Sequence, residues 1–191
     1  MKTWITVLCA AALLAGCAKK DPEVEVPDVV DVPKEVDGDK IQGRDGVVYF
    51  EEAPFTGVAV WKYENGQKSE EAAFKDGKMD GLATGWHENG QKSAEVTHKD
   101  GKPNGLWASW HSNGQKMYEI TYKDGKLDGL ETWWDKNGQK WKERTYKDGE
   151  PHGLATEWHD KARKRYERTY KDGELISSKQ WDPLGNPVVI P

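Results

Sequence analysis

The feature that most constrains this sequence is a 24-residue repeat that runs from Gly57 almost to the C-terminus. Several residue types recur in phase, which excludes chance. The recurrent positions include Gly66, Gly90, Gly114 and Gly138; Trp86, Trp110, Trp134 and Trp158; and Lys-Asp-Gly at 75–77, 99–101, 123–125, 147–149 and 171–173. A short, regular period indicates an array of one small unit stacked on its neighbours.

Each unit has the pattern of a β-hairpin. In the unit from Gly81 to Asp100, residues 82–87 alternate in polarity, meet Asn89-Gly90, and are followed by a second short run at 92–98. Asn-Gly between two such runs favours a tight hairpin turn. No stretch of the array has a 3.6-residue period. We therefore predict an all-β fold, in which stacked antiparallel β-hairpins form an elongated, twisted, open sheet.

The N-terminus has the organisation of an export signal. Lys2 precedes an apolar run from Trp4 to Leu14, and Leu14-Ala15-Gly16-Cys17 follows. This tetrapeptide resembles the lipobox of bacterial lipoproteins, which implies cleavage before Cys17 and lipidation of its thiol. The alternatives are an ordinary signal peptide and a retained membrane helix, although the run is short of the about 20 apolar residues that a bilayer requires. By the rules of that family, Ala18 after the cysteine favours the outer membrane over the inner one.

An acidic segment separates this signal from the repeats. Residues 18–40 contain four lysines, eight acidic residues, three prolines and no aromatic residue. Such a composition predicts a disordered linker, with an edge strand built from its valines as the alternative. The predicted organisation is a signal peptide at 1–16, a lipidated Cys17 with a linker at 17–40, and a repeat domain at 41–191.

The repeat resembles the MORN-repeat superfamily, in particular the bacterial variant often grouped with YwqK-type antitoxins. The resemblance covers about residues 44–185. It depends on Phe55-Thr56-Gly57, on Asn-Gly-Gln-Lys at 65–68, 89–92, 113–116 and 137–140, and on Tyr-Lys-Asp-Gly at 122–125 and 146–149. It implies stacked hairpins that contact protein or lipid, with no catalytic residues. An antitoxin role fits an exported chain poorly, because an antitoxin meets its toxin in the cytosol.

Two hairpin registers are open, and they decide which residues share a face of the sheet. A two-residue Asn-Gly loop places Leu82, Thr84 and Trp86 with Ser93, Glu95 and Thr97. A three-residue loop that includes the following Gln places them with Ala94, Val96 and His98. The second register is favoured because it collects apolar residues on one side. It makes the Leu and Trp columns a buried core and the Glu and Thr columns a solvated face.

The middle units contain large side chains that do not recur. A residue that the fold requires should recur in every unit, so these residues predict a ligand or partner patch. The predicted patch consists of Trp107, Met117, Glu119, Trp133, Trp141 and Glu143. The alternative is extra packing against a neighbouring curve of the twisted sheet.

The sequence offers little for catalysis or metal binding. His87, His111 and His159 share a column, but successive members would lie ~10 Å apart, too far for one zinc ion. We find no phosphate-binding glycine motif, serine elbow or activated thiol. We therefore expect no enzyme activity, no cofactor and no metal.

The expected function is a membrane-anchored scaffold that binds a protein or lipid in the cell envelope. A module that binds glycan or cell wall is the alternative, and an enzyme or an antitoxin-like protein is less favoured. The whole chain has a formal net charge of -5, and most of the excess lies in the linker. The nearly neutral body has no basic surface for nucleic acid.

Overall fold

A computed structural model describes residues 35–159 and 163–189. The predictions for the signal peptide, for Cys17 and for linker residues 18–34 lie outside these ranges. Within them the chain forms β-strands and one short 3-10 turn, Gly38–Lys40. The early strands are β1 (Glu35–Asp37), β2 (Ile41–Arg44), β3 (Val47–Phe50), β4 (Ala53–Pro54), β5 (Gly57–Lys62) and β6 (Lys68–Lys75).

The repeats supply the remaining strands. They are β7 (Lys78–Trp86), β8 (Lys92–Lys99), β9 (Lys102–Trp110), β10 (Lys116–Lys123), β11 (Lys126–Trp134), β12 (Lys140–Lys147), β13 (Glu150–Trp158), β14 (Lys164–Lys171), β15 (Glu174–Trp181) and β16 (Pro187–Val188). Strands β5 to β16 pair in chain order, and β1 adds to β5 in parallel, giving a sheet of 13 described strands. The sheet is not closed into a barrel, so the predicted open sheet of stacked hairpins is confirmed.

A second, smaller sheet covers one end of the array. Strands β2, β3 and β4 form it, and Phe55 follows β4. Phe55 is 1% exposed, and its ring centroid lies 6.1 Å from that of Phe50 and 5.8 Å from that of Phe74. These aromatic rings and the small residues Ala59 and Ala72 form the main hydrophobic core.

The ordered body begins earlier than the sequence suggested. Residues 35–40, which the prediction placed in the linker, form β1 and the 3-10 turn. Val36 is buried against β5, opposite Ala59. Gly38 lies against the ring of Trp61, where an added Cβ would be 2.1 Å from a ring carbon. For residues 35–37, the alternative of an edge strand that includes a valine therefore agrees with the structure better than a disordered linker does.

The turn inside each hairpin has three residues. In the second unit they are Glu88, Asn89 and Gly90, closed by a hydrogen bond from the His87 amide to the Gln91 carbonyl (2.8 Å). The left-handed conformation lies at Gly90, with φ 80°. The loop thus includes the residue before Asn-Gly, whereas the favoured prediction included the residue after it.

A β-bulge follows each of these turns and resets the register. Trp86 pairs with Lys92, but Gly85 already pairs with Ala94, so Ser93 is the extra residue. Beyond the bulge, Leu82 lies opposite Thr97 and Thr84 opposite Glu95. The favoured register is therefore wrong, and the alternative pairing describes the strand interiors.

The tight two-residue turn occurs between units. Lys99 pairs with Lys102 around Asp100 and Gly101, whose φ values are 49° and 79°. Positive φ at both central residues defines the type I′ turn, which matches the twist of paired strands. The same geometry recurs at Asp76, Asp124, Asp148 and Asp172.

The corrected register defines two faces of the sheet. The leucine face carries Leu82, Leu106, Leu130 and Leu154 with the Thr and Glu columns, and the aromatic face carries Ala83, Val96, Trp107, Ile120 and Trp133. The four leucines are 49%, 48%, 45% and 51% exposed. The prediction that they form a buried core is therefore wrong, because no second layer covers their face among the described residues.

Side chains connect each unit to the next. The Tyr63 hydroxyl donates to the Trp86 carbonyl oxygen (2.6 Å), and His87 Nε2 lies 2.9 Å from the Trp110 carbonyl oxygen. His111 and His159 make the corresponding contacts with Trp134 and Trp181. The histidine column is thus part of a hydrogen-bond ladder between units.

The turn geometry yields a stability prediction at Asp124, whose φ is 50°. We expect Asp124→Val to destabilise the sheet by about 1–2 kcal/mol, because a β-branched residue is strained in the left-handed region. Asp124→Asn should be close to neutral. Urea unfolding midpoints measure both, and a valine variant as stable as the asparagine variant would contradict the turn assignment.

Candidate binding surface

A chain of aromatic rings crosses the middle of the aromatic face. Tyr118 and Trp133 are stacked, with ring centroids 4.9 Å apart and planes 28° apart. Trp107 lies 5.8 Å from both Tyr118 and Tyr122, and Trp141 lies 5.9 Å from Trp133. We call these five residues the aromatic cluster. Such centroid distances are typical of favourable aromatic pairs, each worth about 0.5–1.5 kcal/mol beyond its buried area.

Strand pairing brings the rings of the cluster together. Trp107 lies opposite Ile120, and Tyr118 lies opposite Trp133. Trp141 is the bulge residue of β12, since Trp134 pairs with Lys140 and Trp133 with Lys142. This bulge places an additional side chain beside Trp133, at the position that Ser93 occupies in the second unit. The bulge therefore extends the cluster onto a fourth strand.

The structure brings together only part of the predicted patch. Trp107, Trp133 and Trp141 lie in the cluster, and Met117 is the half-buried bulge residue of β10. Glu119 lies opposite Thr132, as does Glu143, so both face the other side of the sheet. There they form ion pairs with Lys116 and Lys140, in the same way as Glu71, Glu95 and Glu167 pair in their own units.

Sequence reasoning missed two members of the cluster, Tyr118 and Tyr122. A signal for Tyr118 was available, because the same column holds Glu70, Ala94 and Lys142 in other units. Tyr122 gave no such signal, since aromatic residues recur at Phe74, Tyr146 and Tyr170.

The aromatic face becomes cationic beyond the cluster. Lys142 Nζ lies 5.4 Å from the Trp133 ring centroid and 3.2 Å from Glu131 Oε2. The Arg144 guanidinium lies 5.6 Å from the Tyr170 ring, and that of Arg168 lies 4.4 Å from the Tyr166 ring. Stacking of this kind holds cations on aromatic faces. One surface therefore presents exposed rings next to fixed positive charge.

Several polar atoms of this face are buried without a hydrogen-bond partner. They include the indole nitrogens of Trp107 and Trp133, Ser109 Oγ and Arg144 Nε. A buried polar group without a partner costs about 1–3 kcal/mol. These atoms belong to strands β9, β11 and β12, which are the strands that carry the tryptophans of the cluster.

A shallow hollow of about 440 Å³ adjoins the cluster. Small side chains form its floor, among them Ala83, Gly85 and Ala94, and Val96 lies at its side. Val96 is the cross-strand partner of Trp107. The hollow and the cluster are therefore continuous along the aromatic face.

The described part of the chain contains no group of three His, Cys, Asp or Glu residues arranged to hold a metal ion. Across residues 35–159 and 163–189, no helix has the length and apolarity that a membrane crossing requires. Burial raises the pKa of Tyr118 to about 12, and the nearby Tyr122 adds to the effect. Burial also raises the pKa of Tyr122 itself.

The raised pKa of Tyr118 predicts sensitivity to alkali. The unfolded phenol has a pKa of about 10, so folding favours its neutral form. This contribution to stability is complete below pH 10 and is lost as the pH rises through 12. We expect Tyr118→Phe to lose less stability between pH 9 and pH 11 than the unmodified chain, measured by urea unfolding. Parallel losses in the two proteins would show that Tyr118 is solvated.

A family model described as the MORN repeat variant matches residues 55–76, 79–100, 103–124 and 127–148. Each match ends at the aspartate of a type I′ turn, so the repeat boundaries coincide with the structural units. A comparison with curated proteins finds no match. The family indicates a repeat-based binding scaffold, while the YwqK-type subgroup stays a prediction. Residues 55–148 are four tandem repeats of the MORN repeat variant.

Proposed function

We propose that this chain is an exported lipoprotein, anchored to the membrane through Cys17, whose aromatic face binds a protein partner in the cell envelope without catalysis. The observation that carries the proposal is the aromatic cluster, in which five rings lie side by side on one face of the sheet. Recurrent positions build the sheet, whereas Trp107 replaces the Ala or Glu of other units and Trp141 replaces Ser, Met or Arg. Trp133 lies in a column that holds Gly, Ser or Glu in three units and Trp61 in the first.

The cluster has the chemistry of a protein-binding site. Tryptophan, tyrosine and arginine are the residue types that dominate the binding energy of protein interfaces, and all three are adjacent here. Trp141 is 42% exposed, although it is a large apolar side chain.

A glycan is a second candidate ligand. Trp141 exposes part of its ring beside Trp133, and the apolar face of a sugar packs well on an indole. The Lys142 ammonium and the Glu131 carboxylate lie beside the Trp133 ring and would offer hydrogen bonds to sugar hydroxyls.

Anchoring is supported by the sequence Leu14-Ala15-Gly16-Cys17 after an apolar run. Only two cysteines are present, and Cys9 lies within that run. Dual acylation would give durable membrane attachment, where one acyl chain gives only marginal binding. Because Ala18 follows the cysteine, we place the anchor in the outer membrane of a two-membrane cell.

The anchoring proposal predicts the fate of a Cys17→Ser chain. We expect the unmodified chain in the membrane pellet of fractionated cells and the variant in the soluble fraction. Metabolic labelling with a fatty acid should mark the chain that retains Cys17 and should not mark the Cys17→Ser variant. Membrane recovery of the variant at the same yield would rule out the anchor.

The binding proposal predicts the effect of Trp141→Ser, which installs the residue that Ser69 and Ser93 supply at this bulge in other units. We expect loss of most partner capture in cells that carry the full chain, measured by crosslinking and mass spectrometry. The variant should lose the Trp133–Trp141 contact, worth about 0.5–1.5 kcal/mol beyond its buried area, yet keep the strand circular dichroism of the folded chain.

Leu184→Ser is the matched control, since Leu184 is 78% exposed in the last turn and far from the cluster in sequence. It should leave capture unchanged. Equal capture by the Trp141→Ser and unmodified chains would exclude the cluster as the site. Capture of cell-wall glycan by the purified chain, abolished by the same substitution, would favour the second candidate.

A further inference from the structure

The leucine face carries a row of apolar side chains that the fold leaves open. Leu82, Leu106, Leu130 and Leu154 occupy the same position in four successive units. Their exposed fractions lie between 45% and 51%. The row is therefore a regular feature of the array, unlike the aromatic cluster, which is confined to the middle units.

Threonines fill the gaps between these leucines. Leu82 lies opposite Thr97, Leu106 opposite Thr121, and Leu130 opposite Thr145. Leu154 lies opposite Thr169 in the last of these hairpins. We call these eight residues the leucine row. At ~4.8 Å between strands, the row runs about 34 Å across β7 to β14, with a leucine every ~10 Å.

The charges around the row are balanced. In each unit a lysine forms an ion pair with the glutamate three residues later, and the glutamates belong to the leucine face. The pairs are Lys68–Glu71, Lys92–Glu95, Lys116–Glu119, Lys140–Glu143 and Lys164–Glu167. A surface that neutralises its own charge does not repel an identical surface.

We propose that the leucine face packs against the leucine face of a second copy of this chain, forming a two-fold symmetric sandwich of two sheets. Repetition favours this occupant. A leucine on every second strand is best matched by a partner whose apolar side chains have the same spacing and whose sheet has the same twist. A second copy of this chain has the same spacing and twist because its sequence is the same. Aligned sheets pack ~10 Å apart, and a two-fold axis at Thr121 sets each leucine of one copy opposite a leucine of the other.

The size of the row is sufficient for such a dimer. A standard specific interface buries about 800 Å² per partner. A strip about 34 Å long reaches this area when it is about 24 Å wide, or about seven residues of each strand. The strands β7 to β14 have eight or nine residues each. The interface therefore includes the row, the ion-paired Glu and Lys side chains beside it and part of the turn rim, while Thr84, Thr132 and Thr156 are already buried within each copy.

A cysteine at the centre of the row tests the proposal. The full chain with Cys9→Ala and Cys17→Ser has no other thiol, since the sequence contains two cysteines. Thr121 lies midway between the second and third of the four leucines, so a two-fold axis through that point brings Thr121 of both copies together. We expect Thr121→Cys to form a disulfide-linked dimer under mild oxidation, several-fold more efficiently than Ser112→Cys in an exposed turn.

The leucines themselves provide the second arm. Leu106→Glu with Leu130→Glu should abolish the Thr121→Cys crosslink and convert dimer to monomer in sedimentation equilibrium. Because both leucines are half exposed, the variant should keep its strand circular dichroism, and a folded monomer supports the proposal. A crosslink equal to that of Ser112→Cys, or a dimer that survives the glutamates, overturns it. A chain that sediments as a monomer without substitutions overturns it as well.

Discussion

Every unit of this protein is stabilised mainly by the units on either side of it. The sheet has no covering layer past β7 among the described strands, and the hydrophobic core cluster is confined to the N-terminal end. Farther along, the buried apolar residues are mostly small, such as Ala108 and Ala155. Ladder hydrogen bonds and side-chain contacts across 22 or 23 residues therefore replace a core. Tyr63, His87 and His111 contact the main-chain carbonyl of the following unit, which makes each hairpin a template for the next.

This arrangement separates the residues that build the fold from those that are free to serve binding. Turn glycines, the His column and the Asp-Gly turns recur because each unit needs them. Positions such as 107, 118, 133 and 141 carry no such requirement, since their residues differ in size and charge from unit to unit. The middle of the aromatic face could therefore acquire large rings without disturbing the sheet. The aromatic face and the leucine face are both open to partners over the middle units because no second layer covers either of them among the described residues.

The period and the turn residues were sufficient to predict the fold, but they could not predict the faces. The hairpin turn includes Glu88, which lengthens the loop, and the bulge at Ser93 returns the pairing to its shorter register. The extra loop residue and the extra bulge residue shift the register in opposite directions, so the alternation of the sequence does not reveal either of them. Choosing the register by apolar clustering failed for a further reason, because it presumed a buried side. Here Leu82 and Leu106 are half exposed. Large rings lie on both faces, since the column of Trp86 shares the leucine face and the aromatic cluster lies on the other.

The same limitation explains which predicted site residues were correct. Trp107, Trp133 and Trp141 were recognised because they break the repeat, and a break in a repeat is visible without coordinates. Glu119 and Glu143 were added because they are close in sequence to the rings, yet adjacent residues of a strand point to opposite faces. Tyr118 was overlooked although its column is as irregular as that of Trp107. Comparing units column by column is thus more informative here than sequence proximity.

The small sheet of β2 to β4 makes the two ends of the aromatic face different. Over β5 to β7 the chain covers this face itself, with β2, β3 and the rings of Phe50 and Phe55. Gly38 lies on Trp61, a large ring on the same side of the sheet. Farther along the face, the chain supplies rings at Trp107 and Trp133 but no covering sheet among the described residues. The aromatic face is thus covered by a second sheet at one end and carries exposed tryptophan in the middle. A bound partner would cover β9 to β12 in the way that β2 and β3 cover β5 to β7.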